Sequence, residues 1–306
     1  MSEIKINYRQ ATRTMRKIKN ILSPEDFQQF LNLARLWKLR LNENDKIEGL
    51  RQFINENQGN SDVVEVVGAK VKAMSLDVVA GYTCHNAQAC RACPLYDSNY
   101  APSHKDTIGG YKLVRGEGSL FPCYAANLEV VFRNSVIAHC VNYFLIAACF
   151  DGESVYQLLI RSLPSKMKGW KYLMRLNSSG DIFHVKYFEG LRLLANRLGG
   201  ENILIFGYTK HTRYLNTGLA NFKITYSMGG RADRLVNRLV TPVCDVVADG
   251  ENIYSLPVIC RDKSKLERAL DFFYIMRGLS FALEIHSGSV NSAKARKARK
   301  LNEVTQ

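Results

Sequence analysis

From about residue 127 onward the chain repeats one order of elements, strand then polar loop then helix, and that order limits the folds open to it more than any other feature. After the apolar stretch "NLEVVFRNSVIAHCVNYFLIAACF" and a short helix "ESVYQLLIRSL" come strand "KYLMRL", loop "NSSGD" and helix "HVKYFEGLRLLANRLGG". Strand "ILIFGY", loop "TKHTRYL", strand "FKITYS", loop "MGG", a short helix "RADRLVNRL" and strand "VCDVVA" follow. Strands joined through helices cannot close as hairpins, so they line up in parallel with the helices as crossovers. Polar and charged residues recur just after successive strands, as on one rim. The expected fold class is therefore α/β, a TIM-barrel-like (β/α) domain rather than an open sheet.

Upstream the pattern differs. "SPEDFQQFLNLARLWKLRL" starts with Ser23 as N-cap, Pro24 at the first helical position and acids at Glu25 and Asp26, which predicts a helix from about 24 to 41. A second helix, "DKIEGLRQFINEN", runs into a polar linker, "NQGNSD". Residues 1–60 thus read as a helical basic extension, 61–290 as the barrel-like domain with a Cys-rich insertion at 81–126, and 291–306 as a basic C-terminal tail. The valine-rich "VVEVVGAKVKAMSLDVVAG", broken by Gly68, is strand-like, and residues 94–120 have the Pro, Gly, Ser and Asp of a long loop.

With 46% hydrophobic and 23% charged residues in 306, the chain has the composition of an ordinary globular protein with a core of its own. Its longest apolar run, "VIAHCVNYFLIAACF", is shorter than the ~18–20 residues of a membrane span and is interrupted by His139 and Asn142, so a buried helix is expected there. The N-terminus has no apolar segment of a secretory signal, which points to the cytoplasm and to thiols that are reduced or metal-bound rather than paired. A net charge of +14 and a pI near 9.4 point to a polyanionic partner, nucleic acid ahead of an anionic membrane surface. "RQATRTMRKIKN" and "KARKARK" concentrate that charge in the manner of phosphate-neutralising clusters, or else of solvated tails.

Three cysteines, Cys84, Cys90 and Cys93, lie in "GYTCHNAQACRAC" with spacing C-x5-C-x2-C, and Cys123 in "LFPCYAAN" follows after 29 residues. Thiolates are ligands that zinc and iron–sulfur clusters share, and four complete either a tetrahedral zinc site or a cluster. The spacing matches neither a standard zinc finger nor the C-x3-C-x2-C of radical enzymes, so zinc, an iron–sulfur cluster and incidental buried thiols all stay open. His85 is an alternative ligand. Cys260 and His286, 25 residues apart, with Cys244 upstream, are a weaker second metal candidate.

Three post-strand loops hold residue types that nucleotide chemistry needs. In "YLMRLNSSGDIFHVKYF", Asp181 sits between strand and helix, where a strand aims a carboxylate into a pocket, or where an Asp merely caps the helix. Asn177, Ser178 and Ser179 stand ready to donate to it or to a ligand phosphate. "GYTKHTRYL" groups Lys210, His211 and Arg213 with Tyr208 and Tyr214, cations and aromatics suited to phosphates and bases, though a surface charge run looks the same. "YSMGGRADR" places Gly229, Gly230 and Arg231 ahead of a short helix, a phosphate cradle or an ordinary turn.

On "SLDVVAGYTCHNAQACRAC", "FPCYAANLEVVFRNS" and "RLNSSGDIFHVKYFEGLRLLA...ILIFGYTK", the chain resembles a family of bacteriophage proteins with a T-C-P-G-A-like motif, an R-C-Y-A-A-like motif followed by Glu and Arg, an S-G-D-F loop and a Y-T-K-like strand end. The match spans residues 74–214, with "HNA" in place of "PGA". It implies a phage origin, the cytoplasm of the host cell, and an α/β barrel related to radical-enzyme and transglycosylase barrels. More distantly the chain is similar to guanine transglycosylases, which exchange guanine in DNA for 7-deazaguanines through an Asp nucleophile beside a zinc site. That similarity implies a DNA-guanine transglycosylase in which Asp181 attacks the flipped-out nucleotide, Asp77 handles protons, Lys210 and Arg213 grip phosphates, and DNA and a modified-base precursor are the partners. The alternatives are an iron–sulfur, radical-type nucleic-acid-modifying enzyme and a non-enzymatic nucleic-acid-binding protein with a structural metal.

Overall fold

The structure is a computed structural model that describes residues 3–42, 71–88, 90, 92–100, 110–117, 119, 123–165, 168–247, 256, 258–259 and 270–284. The expected helix at "DKIEGLRQFINEN" with its linker, the basic tail, Cys260 and His286 lie outside the described residues.

Nine strands and seven α-helices are described. The main sheet is all-parallel and is built from β1 (Val71–Leu76), β4 (Lys171–Leu176), β5 (Ile203–Thr209), β6 (Phe222–Ser227), β7 (Val243–Val247), β9 (Phe281–Glu284) and the two-residue β8 (Val258–Ile259). The spatial order is β1-β4-β5-β6-β7-β9-β8. Five strands in chain order give a curled half-barrel, and among the described residues that sheet stays open rather than closing into a (β/α)8 barrel. β2 (Ala92–Tyr96) and β3 (Tyr111–Arg115) form an antiparallel pair inside the stretch expected to be a long loop.

Crossover handedness explains the opening. Right-handed connections between strands that advance in one direction put their helices on one face, and α6 (Val185–Leu198), between β4 and β5, packs there through Tyr187, Leu191, Leu194 and Ala195. The connection from β8 to β9 runs backwards across the sheet, so the same rule puts α7 (Leu270–Met276) on the other face. There Phe272 and Ile275 pack against Val71, Ala73, Leu173, Leu204 and Phe206. A closed barrel fills that interior with strand side chains alone and leaves no room for a helix.

The N-terminal helices join the main core. Asn7 and Ser23 cap α1 (Tyr8–Ile21) and α2 (Pro24–Ala34) by accepting from the amides of Gln10 and Asp26 at 3.0 and 3.1 Å. Ile18, Ile21, Leu22 and Phe30 lie in the same cluster as α4 (Arg133–Ala148) and the sheet. α2 stops at Ala34, short of the expected residue 41, because the chain turns at Trp37 (φ 47°) and runs extended to the sheet edge. Its amides there find new acceptors: Leu39 N donates to Ser162 Oγ at 2.7 Å, Arg40 N to Asn142 Oδ1 at 2.7 Å, and Asn42 bridges Ser75 of β1. The long apolar helix is divided at Phe132 into α3 (Tyr124–Val131) and α4, and α5 (Gly152–Ser162) follows. "RADRLVNRL" has only a single 3-10 turn, Asp233–Leu235. No described helix is long and apolar enough to cross a membrane.

Candidate functional site

Parallel strands end together, and the loops that leave β1, β4, β5 and β6 meet at that edge. Gly180, at φ +81°, lets the β4 loop press onto the β1 loop; a Cβ there would stand 2.4 Å from Val78 O and 2.6 Å from Thr83 Oγ1. Thr83 Oγ1 accepts from Asp181 N at 3.2 Å and donates to Val79 O at 2.8 Å. Residues 84–88 then cross the tips of β5 and β6. Asn86 Nδ2 donates to Lys210 O at 3.2 Å and meets His211 Nδ1 at 2.8 Å, Gln88 N donates to Gly229 O, and Arg231 N donates to Asn86 O.

The carboxylates at this edge are buried and fully engaged. Asp181, 3% exposed, accepts from Ile182 N at 2.6 Å and Thr209 Oγ1 at 2.7 Å on one oxygen and from Lys210 N at 3.0 Å on the other. Burial nonetheless pushes its pKa up to about 6, against the pull of those donors. Asp77 accepts from Ser179 N at 3.0 Å and Ser75 Oγ at 2.8 Å. Glu129 of α3, 1% exposed, accepts from Ala80 N at 3.1 Å, Ser179 Oγ at 2.5 Å and His139 Nδ1 at 2.6 Å. Its carboxylate raises the His139 pKa against the effect of burial.

The cationic and glycine candidates are likewise committed to the frame. Lys210, expected to grip phosphate, points its ammonium at Ser227 O and Oγ (3.1 Å each) and Met228 O (2.6 Å). The amides of Gly229 and Gly230, the expected cradle, already donate to Asp233 at 2.8 and 2.9 Å. Tyr208 lies on the α7 side of the sheet, where its hydroxyl donates to Asp271 Oδ2 at 2.9 Å while Arg175 pairs with the same oxygen at 2.7 Å. Asn177, at φ 56°, accepts from Tyr187 Oη at 3.4 Å, and burial pushes His211 down to about 4, so its ring is neutral. Arg213 lies over the Tyr214 ring at 4.6 Å, and Arg231 is exposed.

The thiols differ from all of these. Cys84 and Cys90 sit on the crossing loop and Cys123 occupies the N-cap of α3; all three are partly exposed residues with no disulfide. The thiols of Cys90 and Cys123 act on each other, and that interaction together with the Lys210 charge pulls Cys90 down to about 6, while Cys123 is pushed up. Cys84, within electrostatic reach of both and of Asp181, is raised by burial. Cys93 is the odd one out: on β2, it faces Val114 O at 3.7 Å and the Tyr82 hydroxyl. Among the described residues no three such donors are arranged to hold a metal ion. The donor chemistry itself, three thiols on one loop and one helix start, suits a thiophilic metal or cluster.

The family model Gene product 88 matches residues 37–298. The chain belongs to that phage gene-product family. Comparison with curated proteins and with solved structures returns no match. Nothing in these comparisons extends to guanine transglycosylases. Residue patterning does not single out His139, Arg175 or Asp271, and Glu129 enters only through the resemblance. The available signal for Glu129 is a carboxylate inside the apolar run "NLEVVF", where only a partnered charge survives.

Proposed function

We propose that this protein is an iron–sulfur enzyme whose cluster is held by Cys84, Cys90 and Cys123, and that its redox or radical chemistry acts on a nucleic acid. One observation carries the reading: three thiols from one loop and one helix start, Cys84, Cys90 and Cys123, come within electrostatic reach of one another at the strand ends, beside carboxylates and an ammonium that the frame already bonds. Three thiolates, one fewer than a four-cysteine cluster takes, would suit a cluster that acts on a co-substrate rather than one that only carries electrons. A structural zinc would call for a fourth protein ligand, and Asp181, the carboxylate whose charge reaches Cys84 and Cys90, already accepts three hydrogen bonds. Such a cluster supplies one-electron chemistry; the chain's own part is to hold the thiols over the half-barrel mouth and keep Lys210 beside Cys90. The charge of +14 supports a nucleic-acid partner.

The test is anaerobic purification with iron, sulfide and zinc analysis and a visible spectrum before and after reduction. Iron with labile sulfide and a reducible visible band is expected; one zinc per chain without colour would sink the proposal.

A second reading, DNA-guanine transglycosylation with Asp181 as nucleophile, Asp77 as proton carrier and zinc on the cysteines, draws on the raised pKa of Asp181, since such shifts cluster at active sites. It requires Asp181 to release a hydrogen bond before it attacks. Guanine release from DNA that is abolished in Asp181→Asn but indifferent to iron would favour it.

A further inference from the structure

We infer that the loop after β6, residues 228–242, is a wedge that enters duplex DNA and unstacks a base step at the mouth of the site. Within six residues of this loop three apolar side chains stand in solvent, Leu235 at 71%, Leu239 at 94% and Val240 at 77% exposure. Large apolar groups bunched on a surface mark an interaction site, whereas isolated ones do not. Exposed Arg231 and Arg234 precede them on the same loop, and this pairing of cations and aliphatics suits one occupant, a phosphate backbone with stacked bases between its strands.

The loop is held rather than slack. Asp233 ties its base by accepting from Gly229 N, Gly230 N and Tyr226 Oη at 2.8–2.9 Å. At the tip Asn237 accepts from Leu239 N at 3.0 Å through its side chain and from Val240 N and Thr241 N through its carbonyl. A turn fixed in this way projects Leu239 at little further entropic cost on insertion.

Position completes the argument. β7 begins beside the end of β6, with Val243 paired to Tyr226, so the loop stays at the strand ends. It is also bonded directly to the thiol-bearing loop through Gly229–Gln88 and Arg231–Asn86. Chemistry on a base requires the base out of its stack, and Leu side chains serve elsewhere as wedges that unstack steps, the cost of unstacking being offset by backbone contacts. The inference rests on the proposed nucleic-acid partner and not on the metal.

The experiment uses the full-length protein and a short DNA duplex with one 2-aminopurine, whose fluorescence rises on unstacking, alongside anisotropy of an end label. Wild-type protein is expected to raise both signals. Leu239→Ala combined with Leu235→Ala should remove most of the unstacking signal, at least about threefold, with affinity changed by less than about tenfold. Arg231→Gln with Arg234→Gln should weaken binding and flatten its salt dependence. Unstacking equal to wild type in the leucine variant would overturn the inference while leaving the partner intact. No binding of wild-type protein would overturn the partner as well. A wild-type dimer that the leucine variant converts to monomer, with unstacking unchanged, would assign the patch to a second copy instead.

Discussion

Two sets of side chains share the strand ends, and they are built in opposite ways. The acidic set, Asp77, Glu129 and Asp181, is sealed from solvent and bonded on all sides, joining the β1 loop, the β4 loop, β5 and α3 into one block. The thiol set, Cys84, Cys90 and Cys123, gathers three sulfurs from one loop and one helix start within electrostatic reach of one another. Saturation is what a scaffold needs, because each unbonded buried group costs about 1–3 kcal/mol. Unspent donors are what a cofactor site needs. On the proposed reading, the carboxylates serve the frame and the sulfurs would carry the chemistry.

The comparison breaks most visibly at the thiols. Cys90→Ser and Cys123→Ser should each lose essentially all bound iron with little loss of fold, whereas Cys93→Ser should keep most of it, measured as iron and sulfide per chain. Next in size is Glu129→Ala, which strands Ala80 N, Ser179 Oγ and His139 and should cost about 3–5 kcal/mol in denaturant unfolding, with unfolding as its primary phenotype. Asp181→Ala should cost about 2–3 kcal/mol by orphaning three donors.

The pH dependence of Asp181 sharpens the contrast. Its folded pKa near 6 lies above the ordinary 3.8, so the folded state holds the proton more tightly than the unfolded one. Its contribution is therefore favourable below about pH 4 and declines by about 3 kcal/mol as pH rises to 6. Asp181→Asn should flatten that slope relative to wild type in urea melts across the window. The smallest effect is expected at Arg213, which lies over Tyr214: Arg213→Gln should shift stability by less than about 0.5 kcal/mol.

What the sequence made legible follows from range. "KYLMRL", "ILIFGY", "FKITYS" and "VCDVVA" appear as β4, β5, β6 and β7 because short apolar runs bounded by polar loops are written locally. The β2–β3 pair is hidden by Pro94 and by the residues between its strands, and it is tied to the N-terminal helices by contacts no local window contains. Tyr111 Oη donates to Asp26 at 2.6 Å, and Arg133 bonds the same carboxylate. Asp26 reads as a first-turn acid and turns out to be a buried hub. The strand order of the described half-barrel was equally illegible, since it depends on how α7 crosses back rather than on any repeat. At the site, the loop positions of Asp181 and Lys210 could be read from the sequence, but their saturation could not, because their partners come from other strands.

The most direct test of the central claim is one side-by-side measurement: iron and labile sulfide per chain in wild type, Cys90→Ser and Asp181→Asn, purified without oxygen. The account predicts a cluster in wild type and in Asp181→Asn and none in Cys90→Ser. A colourless, zinc-containing wild type whose DNA base exchange disappears only in Asp181→Asn would contradict it and return the chemistry to the carboxylate.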